Sequence, residues 1–488
     1  MKTLKELIHS SEIIDSQVDL NLKVSEIVQD SRLATKSTLF IAVKGTLSDG
    51  HQFVKEVLNK GSIAVVENDY PSDRADLIIK VASTRNLVGK VASRFFNKPT
   101  EHFSLVGITG TNGKTTTAFL LDQIWMQMGL VTGLIGTVQN KIGGEIIPSD
   151  LTTPGPIELQ GLFHRMEQKK VQVCVMEVSS IALDQARTEG SCFSVGVFTN
   201  FTQDHLDYHQ TMEQYFNAKL KLFRDYKLPC IVVNIDDSKG VEVLACSKNS
   251  QQITFSFHNQ RASFYIRDAS FKKTGTTANI QTPDGVMALT TPLIGAHNLM
   301  NILTALAVIK GLNQDVSLAI KLLEQASGAP GRLERAIVGD SYPNIFVDYA
   351  HSDDALENVL KTLVHLGANS PGKIITVLGC GGDRDKTKRP KMAKVASTYS
   401  DITIATSDNP RTEDPEIILN DLECGVDQKK TSYHREVNRR KAIYLALSLA
   451  KPEDLVLIAG KGHENYQIIG TEKQPFDDKQ VVKDYYRS

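Results

Sequence analysis

The sequence predicts an α/β protein of three domains, built mainly from parallel sheets with helices on their faces. Three observations carry that reading. Short apolar runs alternate with amphipathic segments along the whole chain, the pattern of repeated strand–helix units. One run, Leu105 to Ile108, leads through a glycine-rich turn into an apolar helical stretch from Ala118 to Met128, closed by Gly129. In the last third of the chain, polar clusters follow four successive apolar runs. Clusters at the same end of several parallel strands build one crevice.

The chain has 488 residues, too long for one ordinary core, and length alone suggests roughly three domains of ~150 residues. Two seams combine turn formers with a fresh strand signal: Asn97-Lys98-Pro99-Thr100-Glu101, and Gly328-Ala329-Pro330-Gly331-Arg332 before Ile345-Phe346-Val347. They divide the chain into 1–100, 101–334 and 335–488. Hydrophobic content of 41% and charged content of 23% are those of a globular protein. A net charge of −1 supplies no field for nucleic acid or an anionic membrane, so phosphate binding must be local. Six scattered cysteines with no CxxC pair read as reduced thiols. The N-terminus lacks the apolar stretch of a signal peptide, and no later stretch spans a bilayer. A soluble, cytoplasmic protein without nucleic-acid partner or membrane insertion is expected.

The turn after Leu105–Ile108 reads Thr109-Gly110-Thr111-Asn112-Gly113-Lys114-Thr115-Thr116. Glycines let backbone N–H groups approach phosphate oxygens, Lys114 supplies charge, and the Thr115 hydroxyl suits Mg²⁺. The strict phosphate-loop spacing asks for glycine where Ile108 stands, so a glycine turn with an incidental lysine is the alternative. The run Val171 to Met176 ends in Glu177, placed like a ligand-binding group at a strand end. A carboxylate there can complete a Mg²⁺ shell with Thr115 and phosphate oxygens; a surface glutamate is the plain alternative. Lys219 lies in the middle of a helical stripe made by Met212, Tyr215, Leu222 and Phe223. Such a lysine either snorkels to solvent or is buried. Burial lowers a lysine from its reference of about 10.4 and leaves an amine that reacts with CO₂.

The Thr109–Thr116 segment resembles the ATP loop of the Mur ligases, the enzymes that build the muramyl peptide. Further matches follow in order: Asp30-Ser31-Arg32, Glu177-Val178-Ser179-Ser180, Asp204-His205-Leu206-Asp207-Tyr208-His209, Asn298 with Asn301, Gly331-Arg332, Asp348-Tyr349-Ala350-His351, and Gly460-Lys461-Gly462-His463-Glu464. The resemblance implies an N-terminal UDP-binding α/β domain, a central P-loop ATPase-type domain with a mostly parallel sheet, and a C-terminal Rossmann-like domain that binds the incoming amino acid. The reaction it implies is ATP-driven addition of one amino acid to UDP-MurNAc-L-Ala-D-Glu through an acyl phosphate, by a monomer whose partners are small molecules.

Residue by residue, the resemblance puts ATP on Gly110, Thr111, Asn112, Gly113, Lys114, Thr115, Thr116, Asn298, Arg332 and Asp348. It puts Mg²⁺ on Thr115, Glu177, His205 and Lys219, the lysine being carbamylated. The UDP-linked dipeptide falls to Gln29, Ser31, Thr46, Leu47, Ser48, Thr152, Thr153, Ser179, Gln185 and Arg187. The amino acid falls to Arg384, Asp408, Asn409, Pro410, Arg411, Gly460 and Glu464. Members with Asp-Asn-Pro-Arg here add meso-diaminopimelate; lysine-adding members replace the arginine. Physically, Arg411 can bind a carboxylate bidentately while Asp408 and Glu464 accept from ammonium groups. The residues alone equally allow an Asx-type turn capping the helix near Pro415, with Arg411 on the surface. Leu151, Ile181 and Asp353 depart from common family residues. A folylpolyglutamate-type ligase would lack the uridine pocket and the Asp408–Arg411 cluster; a nucleotide switch would need no amino-acid pocket.

Overall fold

The computed structural model describes the whole chain except Thr46, Leu47, Val338, Asp340, Ser341, Asn369, Ser370 and Ser488. The chain forms two compact units. The first comprises Met1–Thr109, Met128–Gly196 and Asn217–Cys230; the second comprises Gly110–Gln127, Val197–Phe216 and Ile231–Ser488.

In the first unit, the strands Ile13–Ser16, Ile78–Val81, Ile63–Val66, Thr38–Ile41 and Glu26–Val28 make a five-stranded sheet in that order. Only the first pairing is antiparallel. Thr38–Ile41 and Ile63–Val66 are buried at every position, as expected of parallel strands covered on both faces. The helix Thr84–Phe95 covers them, started by Ser83, whose hydroxyl accepts from Asn86 N. The same unit holds Thr132–Ile135, Val173–Glu177 and Ser104–Thr109, paired in parallel in that order. Val173–Glu177 is wholly buried, so its terminal carboxylate is delivered to the strand's C-terminal end.

In the second unit, Gln251–Ser256, Phe264–Lys272, Gly275–Thr282 and Gly285–Thr291 form neighbouring strands. The helix Ala296–Gly311 is apolar on nearly all sides and buried accordingly. Against it packs the helix Lys114–Gln127, which starts four residues before the Ala118 expected from the apolar pattern. Thr115, Thr116 and Thr117 are poor helix formers, but all three are buried. Tertiary packing overrides their propensity, and Trp125 Nε1 anchors the helix by donating to Gln314 Oε1 at 2.7 Å.

The rest of the second unit is a six-stranded sheet in the order Glu334–Arg335, Asn344–Asp348, Leu455–Ala459, Ile374–Leu378, Ile402–Ala405, Ser432–Arg435. All pairings after the first are parallel. Alternation along the strands feeds two cores. Phe346, Leu378 and Leu457 meet the helices Asp353–Gly367, Lys388–Tyr399 and Pro415–Glu423. Ile345, Val347, Val377 and Val456 meet Arg439–Leu449 and Asp478–Arg487. The period of two in side-chain direction thus yields a doubly wound sheet whose strand ends stay open for chemistry. Among the described residues, no helix is long and apolar enough to cross a membrane.

Candidate functional site

The glycine loop is shaped by what surrounds it. Gly110 and Gly113 hold φ of 147° and 87°, and a Cβ on Gly113 would fall 2.6 Å from Asn301 Oδ1. Positive φ and close approach together demand glycine there. Asn112 N donates to Asn200 Oδ1 at 2.8 Å, while Thr199 Oγ1 and Asn200 Nδ2 donate to Asn112 O at 2.7 and 3.1 Å. Lys114 Nζ lies over its own loop, donating to Gly110 O at 2.8 Å and Thr111 O at 2.7 Å. Because the helix starts at Lys114, its positive dipole end sits directly behind the loop, an arrangement that favours anions.

Beside the loop is a cavity of 640 Å³ lined by Asn112, Gly113, Thr116, Asn298, Asn301, Arg332 and Asp348, among others, a size that suits a nucleotide. Six of the residues expected at ATP thus share one cavity. Arg332 Nη2 donates to Thr115 Oγ1 at 3.3 Å, and the guanidinium lies 4.6 Å from the Tyr349 ring centroid. Its Nε is buried with no partner among the described residues. A buried orphan donor is costly, and a phosphate oxygen is the acceptor such a group suits. Burial pushes the Asp348 carboxyl above its ordinary value, against the opposing pull of Arg332 and two backbone amides. Those amides, Leu333 N and Ala350 N, donate to it at 2.6 and 2.7 Å. Burial lowers the lining His297 to about 4, so it is a neutral ring at pH 7; Thr362 Oγ1 lies 3.3 Å from its Nδ1.

The cavity also contains a residue that sequence reasoning passed over. Asp354 Oδ2 accepts from Asn112 Nδ2 at 2.8 Å and Thr202 Oγ1 at 3.1 Å. In sequence it is one more acid in the first turn of a helix, where acids are common for the dipole's sake. Nothing there could have singled it out. Its neighbour Asp353, a departure from the family, simply opens the helix Asp353–Gly367.

At the open end of the six-stranded sheet, the clusters after Ile374–Leu378, Ile402–Ala405 and Leu455–Ala459 converge. Asp408 and Asn409 are buried, and Asn409 Nδ2 donates to Glu464 Oε2 at 2.8 Å. Gly460, with φ of 113°, donates its N–H to Asp348 O at 3.0 Å. Half-buried Arg411 has φ of 52°, and its Nη1 donates to Gly382 O at 2.8 Å. Arg384 is exposed and, like Arg411, lies beside Gly381. The helix at Pro415 is capped by Asp414, which accepts from Glu416 N, so the Asp408–Arg411 segment is not its cap. Asp408 and Glu464, expected to wait for substrate ammonium groups, already share a cation. Lys461 Nζ lies 3.3 Å from Asp408 Oδ1 and 3.2 Å from Glu464 Oε2.

In the first unit, Glu177 is buried rather than on the surface. Thr137 N and Oγ1 donate to its two carboxylate oxygens at 2.9 and 3.1 Å, and Thr137 Oγ1 lies 3.0 Å from Thr152 Oγ1. Thr153 Oγ1 donates to Glu177 O at 2.9 Å and accepts from Ser179 N at 3.1 Å. Arg187 Nη1 donates to Thr153 O at 2.8 Å, and its Nη2 to Gln185 Oε1 at 2.7 Å. Thr152, Thr153, Ser179, Gln185 and Arg187 are therefore one polar patch around Glu177. Ile181, another departure, is half-buried in the short helix Ser180–Asp184, while Leu151 is exposed. Lys219 is 2% exposed, so it does not snorkel.

In the N-terminal sheet's loops, Asp30 caps the turn Ser31–Leu33 and its ion pair with Arg32 lowers its carboxyl to about 2. Gln29 is half-buried and Ser31 buried, Ser31 O accepting from Lys60 Nζ at 2.9 Å. Ser48 is exposed, its carbonyl accepting from Gly45 N at 2.9 Å. Thr46 and Leu47 lie outside the described residues.

Among the described residues no cluster of three or more His, Cys, Asp or Glu has metal-holding geometry. The Thr115 hydroxyl and the Glu177 carboxylate are each oxygen donors of the kind Mg²⁺ takes, few in number and completed by water and phosphate. His205 sits at φ of 52°, its Nε2 3.6 Å from Asp204 Oδ2. Although burial raises Asp204, the positive charges of His205, His351 and Lys388 hold it well below the usual carboxylate range.

Comparison with known proteins accords with this geometry. The Mur ligase middle domain matches residues 108–309 and the Mur ligase glutamate ligase domain residues 331–462. A UDP-N-acetylmuramoyl-L-alanyl-D-glutamate–2,6-diaminopimelate ligase of Clostridioides difficile is 40% identical over 482 residues, 99% of each chain. That of Listeria monocytogenes serotype 4b is 41% identical over 483 residues, 98% of this chain and 97% of its own. A solved structure of a ligase of that name superimposes with a TM-score of 0.73 at 30% identity, covering 100% of this chain and 99% of the other. Full-length likeness at this identity leaves one conclusion: the chain belongs to the Mur ligase family, among the UDP-N-acetylmuramoyl-L-alanyl-D-glutamate–2,6-diaminopimelate ligases.

Proposed function

We propose that this protein uses ATP to add meso-diaminopimelate to UDP-N-acetylmuramoyl-L-alanyl-D-glutamate in peptidoglycan synthesis. The observation that carries the reading is the pairing, in one compact unit, of a nucleotide cavity holding the orphaned Arg332 Nε with a polar cluster at the open ends of the C-terminal strands. The protein acts in the cytoplasm as a monomer, with UDP-binding, ATP-binding and amino-acid-binding domains near 1–100, 101–334 and 335–488.

The D-glutamyl carboxylate attacks the γ-phosphorus of ATP, forming the acyl phosphate and releasing ADP. The diaminopimelate amine, after losing a proton, attacks the acyl carbon; the tetrahedral intermediate collapses with expulsion of inorganic phosphate. Lys114 and Arg332 offset charge on the transferring phosphoryl group, and the dipole end of the helix Lys114–Gln127 supports the oxygens. By family resemblance Thr115, Glu177, His205 and carbamylated Lys219 hold Mg²⁺, which supplies Lewis-acid neutralisation of phosphate charge when bound. Gln29, Ser31, Thr46, Leu47 and Ser48, with the patch around Glu177, hold the UDP-linked dipeptide. Asp348 and Asn298 face the nucleoside. Arg384, Asp408, Asn409, Pro410, Arg411, Gly460 and Glu464 hold the amino acid.

A coupled assay of ADP release with the UDP-linked dipeptide and a panel of amino acids tests the whole reading. Turnover with meso-diaminopimelate is expected, and release of ADP independent of any amino acid would contradict it. Because Arg411 would face an unpaired charge if lysine were bound, strong preference over L-lysine is expected. Arg411→Ala should raise KM for diaminopimelate by about 10²-fold and weaken that preference; comparable kcat/KM for both amino acids in the wild type would refute it. Asp354→Ala leaves Asn112 Nδ2 and Thr202 Oγ1 without their carboxylate, and KM for ATP should rise about tenfold with little change in kcat. An unchanged KM for ATP would remove Asp354 from the nucleotide site.

A further inference from the structure

Lys461 follows the buried strand Leu455–Ala459 by two residues, and its side chain is completely buried. A lysine in that position pays a heavy desolvation cost unless several acceptors surround the ammonium. Here they do. Asp408 Oδ1, Asn409 Oδ1 and Glu464 Oε2 lie 3.3, 3.0 and 3.2 Å from Nζ, and the Tyr466 ring centroid lies 5.9 Å away. Asn409 Oδ1 also accepts from Ile468 N at 2.9 Å, and Gln467 Nε2 donates to Asp408 O at 2.6 Å. One ammonium thus ties the segment after Ile402–Ala405 to the segment after Leu455–Ala459.

The charge balance has a consequence for selection. Arg384, Arg411 and Lys461 stand against Asp408, Glu464 and the adjacent Asp383, which accepts from Thr412 N and Oγ1, so Lys461 is the cation that offsets the Asp408–Glu464 pair. An amino acid with a second carboxylate is neutral overall and brings that carboxylate to Arg411. An amino acid ending in a bare amine brings an extra ammonium to carboxylates that Lys461 already engages, and nothing for Arg411 to bind. Without Lys461, the carboxylates of Asp408 and Glu464 would be freed to attract such a cation.

We propose that Lys461 is a positioning and specificity-setting residue: its ammonium locks Asp408, Asn409 and Glu464 into one constellation and cancels enough of their charge to exclude a basic amino acid lacking the distal carboxylate. This rests on the assignment of that cluster as the amino-acid pocket.

The test measures kcat and KM for meso-diaminopimelate and L-lysine with the full-length Lys461→Met and Lys461→Arg variants, at saturating ATP, Mg²⁺ and UDP-linked dipeptide, with thermal melts alongside. Lys461→Met should lower kcat/KM for diaminopimelate about 30-fold, mostly through KM, and narrow its advantage over lysine about tenfold. Lys461→Arg keeps the charge but does not fit the compact site. It should raise KM for diaminopimelate about tenfold while keeping the preference within threefold of wild type, and it carries the test if Lys461→Met does not fold. An undiminished preference in folded Lys461→Met, or an unchanged KM in Lys461→Arg, overturns the proposal. Arg411→Ala separates the two claims. If it raises KM for diaminopimelate while both Lys461 variants behave as wild type, the pocket stands and the role of Lys461 falls; if Arg411→Ala is silent too, the pocket assignment itself falls.

Discussion

Lys219→Ala is expected to lose activity by about 10³-fold, the loss that the proposed role of Lys219 at metal-bound phosphate in the transition state requires. The side chain is 2% exposed, and Tyr215, Leu222 and Phe223 on the same helix are buried with it. A lysine in such a stripe more often takes its ammonium to water. The proposed carbamylation would have the amine, once deprotonated, add to CO₂ with loss of one proton, turning a cation into an oxygen donor suited to Mg²⁺. Added formate or acetate should restore part of the activity of Lys219→Ala by standing in for the carbamate. Incorporation of ¹³C-labelled bicarbonate should give the wild type, but not the variant, a carbamate resonance. Full activity of Lys219→Ala without any additive would end this assignment.

Lys114→Ala should lower kcat by at least about 10²-fold while KM for the two non-nucleotide substrates stays within about threefold. The reason lies in the loop's construction. Lys114 Nζ rests on the carbonyls of Gly110 and Thr111, two neutral acceptors that a phosphate oxygen outcompetes electrostatically. The lysine is thus held at the loop, where an arriving phosphate would recruit it. A variant in which only KM for the UDP-linked dipeptide rose, with kcat intact, would place Lys114 on the peptide rather than the phosphate. Glu177→Ala offers an independent check, since it should likewise act on kcat.

Much of the candidate site was legible as a set of groups because its residues are local in sequence. The glycine loop, the strand ending in Glu177 and the Asp408–Arg411 run each present several functional groups within a few residues, at strand ends whose position follows from the α/β alternation. The placement of Lys219 inside an apolar stripe could be read from periodicity, but periodicity could not say whether the lysine is buried. Burial depends on what packs over the helix face, and that is supplied by other segments. The same holds for the first turn of the helix Lys114–Gln127, where three threonines argue against a helix and buried packing enforces one.

What the sequence by itself determined is therefore the order of the strand–helix units, the strand ends that carry polar clusters, and the family to which the motifs belong. What only the tertiary structure decided is which charges meet. Asp354 reaches Asn112 across 242 positions of chain, and Lys461 reaches Asp408 across 53. Neither pairing leaves a local trace, because an isolated acid at a helix start and a lone lysine between glycines are each satisfied by water in the unfolded chain. Folding removes that water, and the partner that replaces it is set by sheet order and strand register rather than by sequence neighbours.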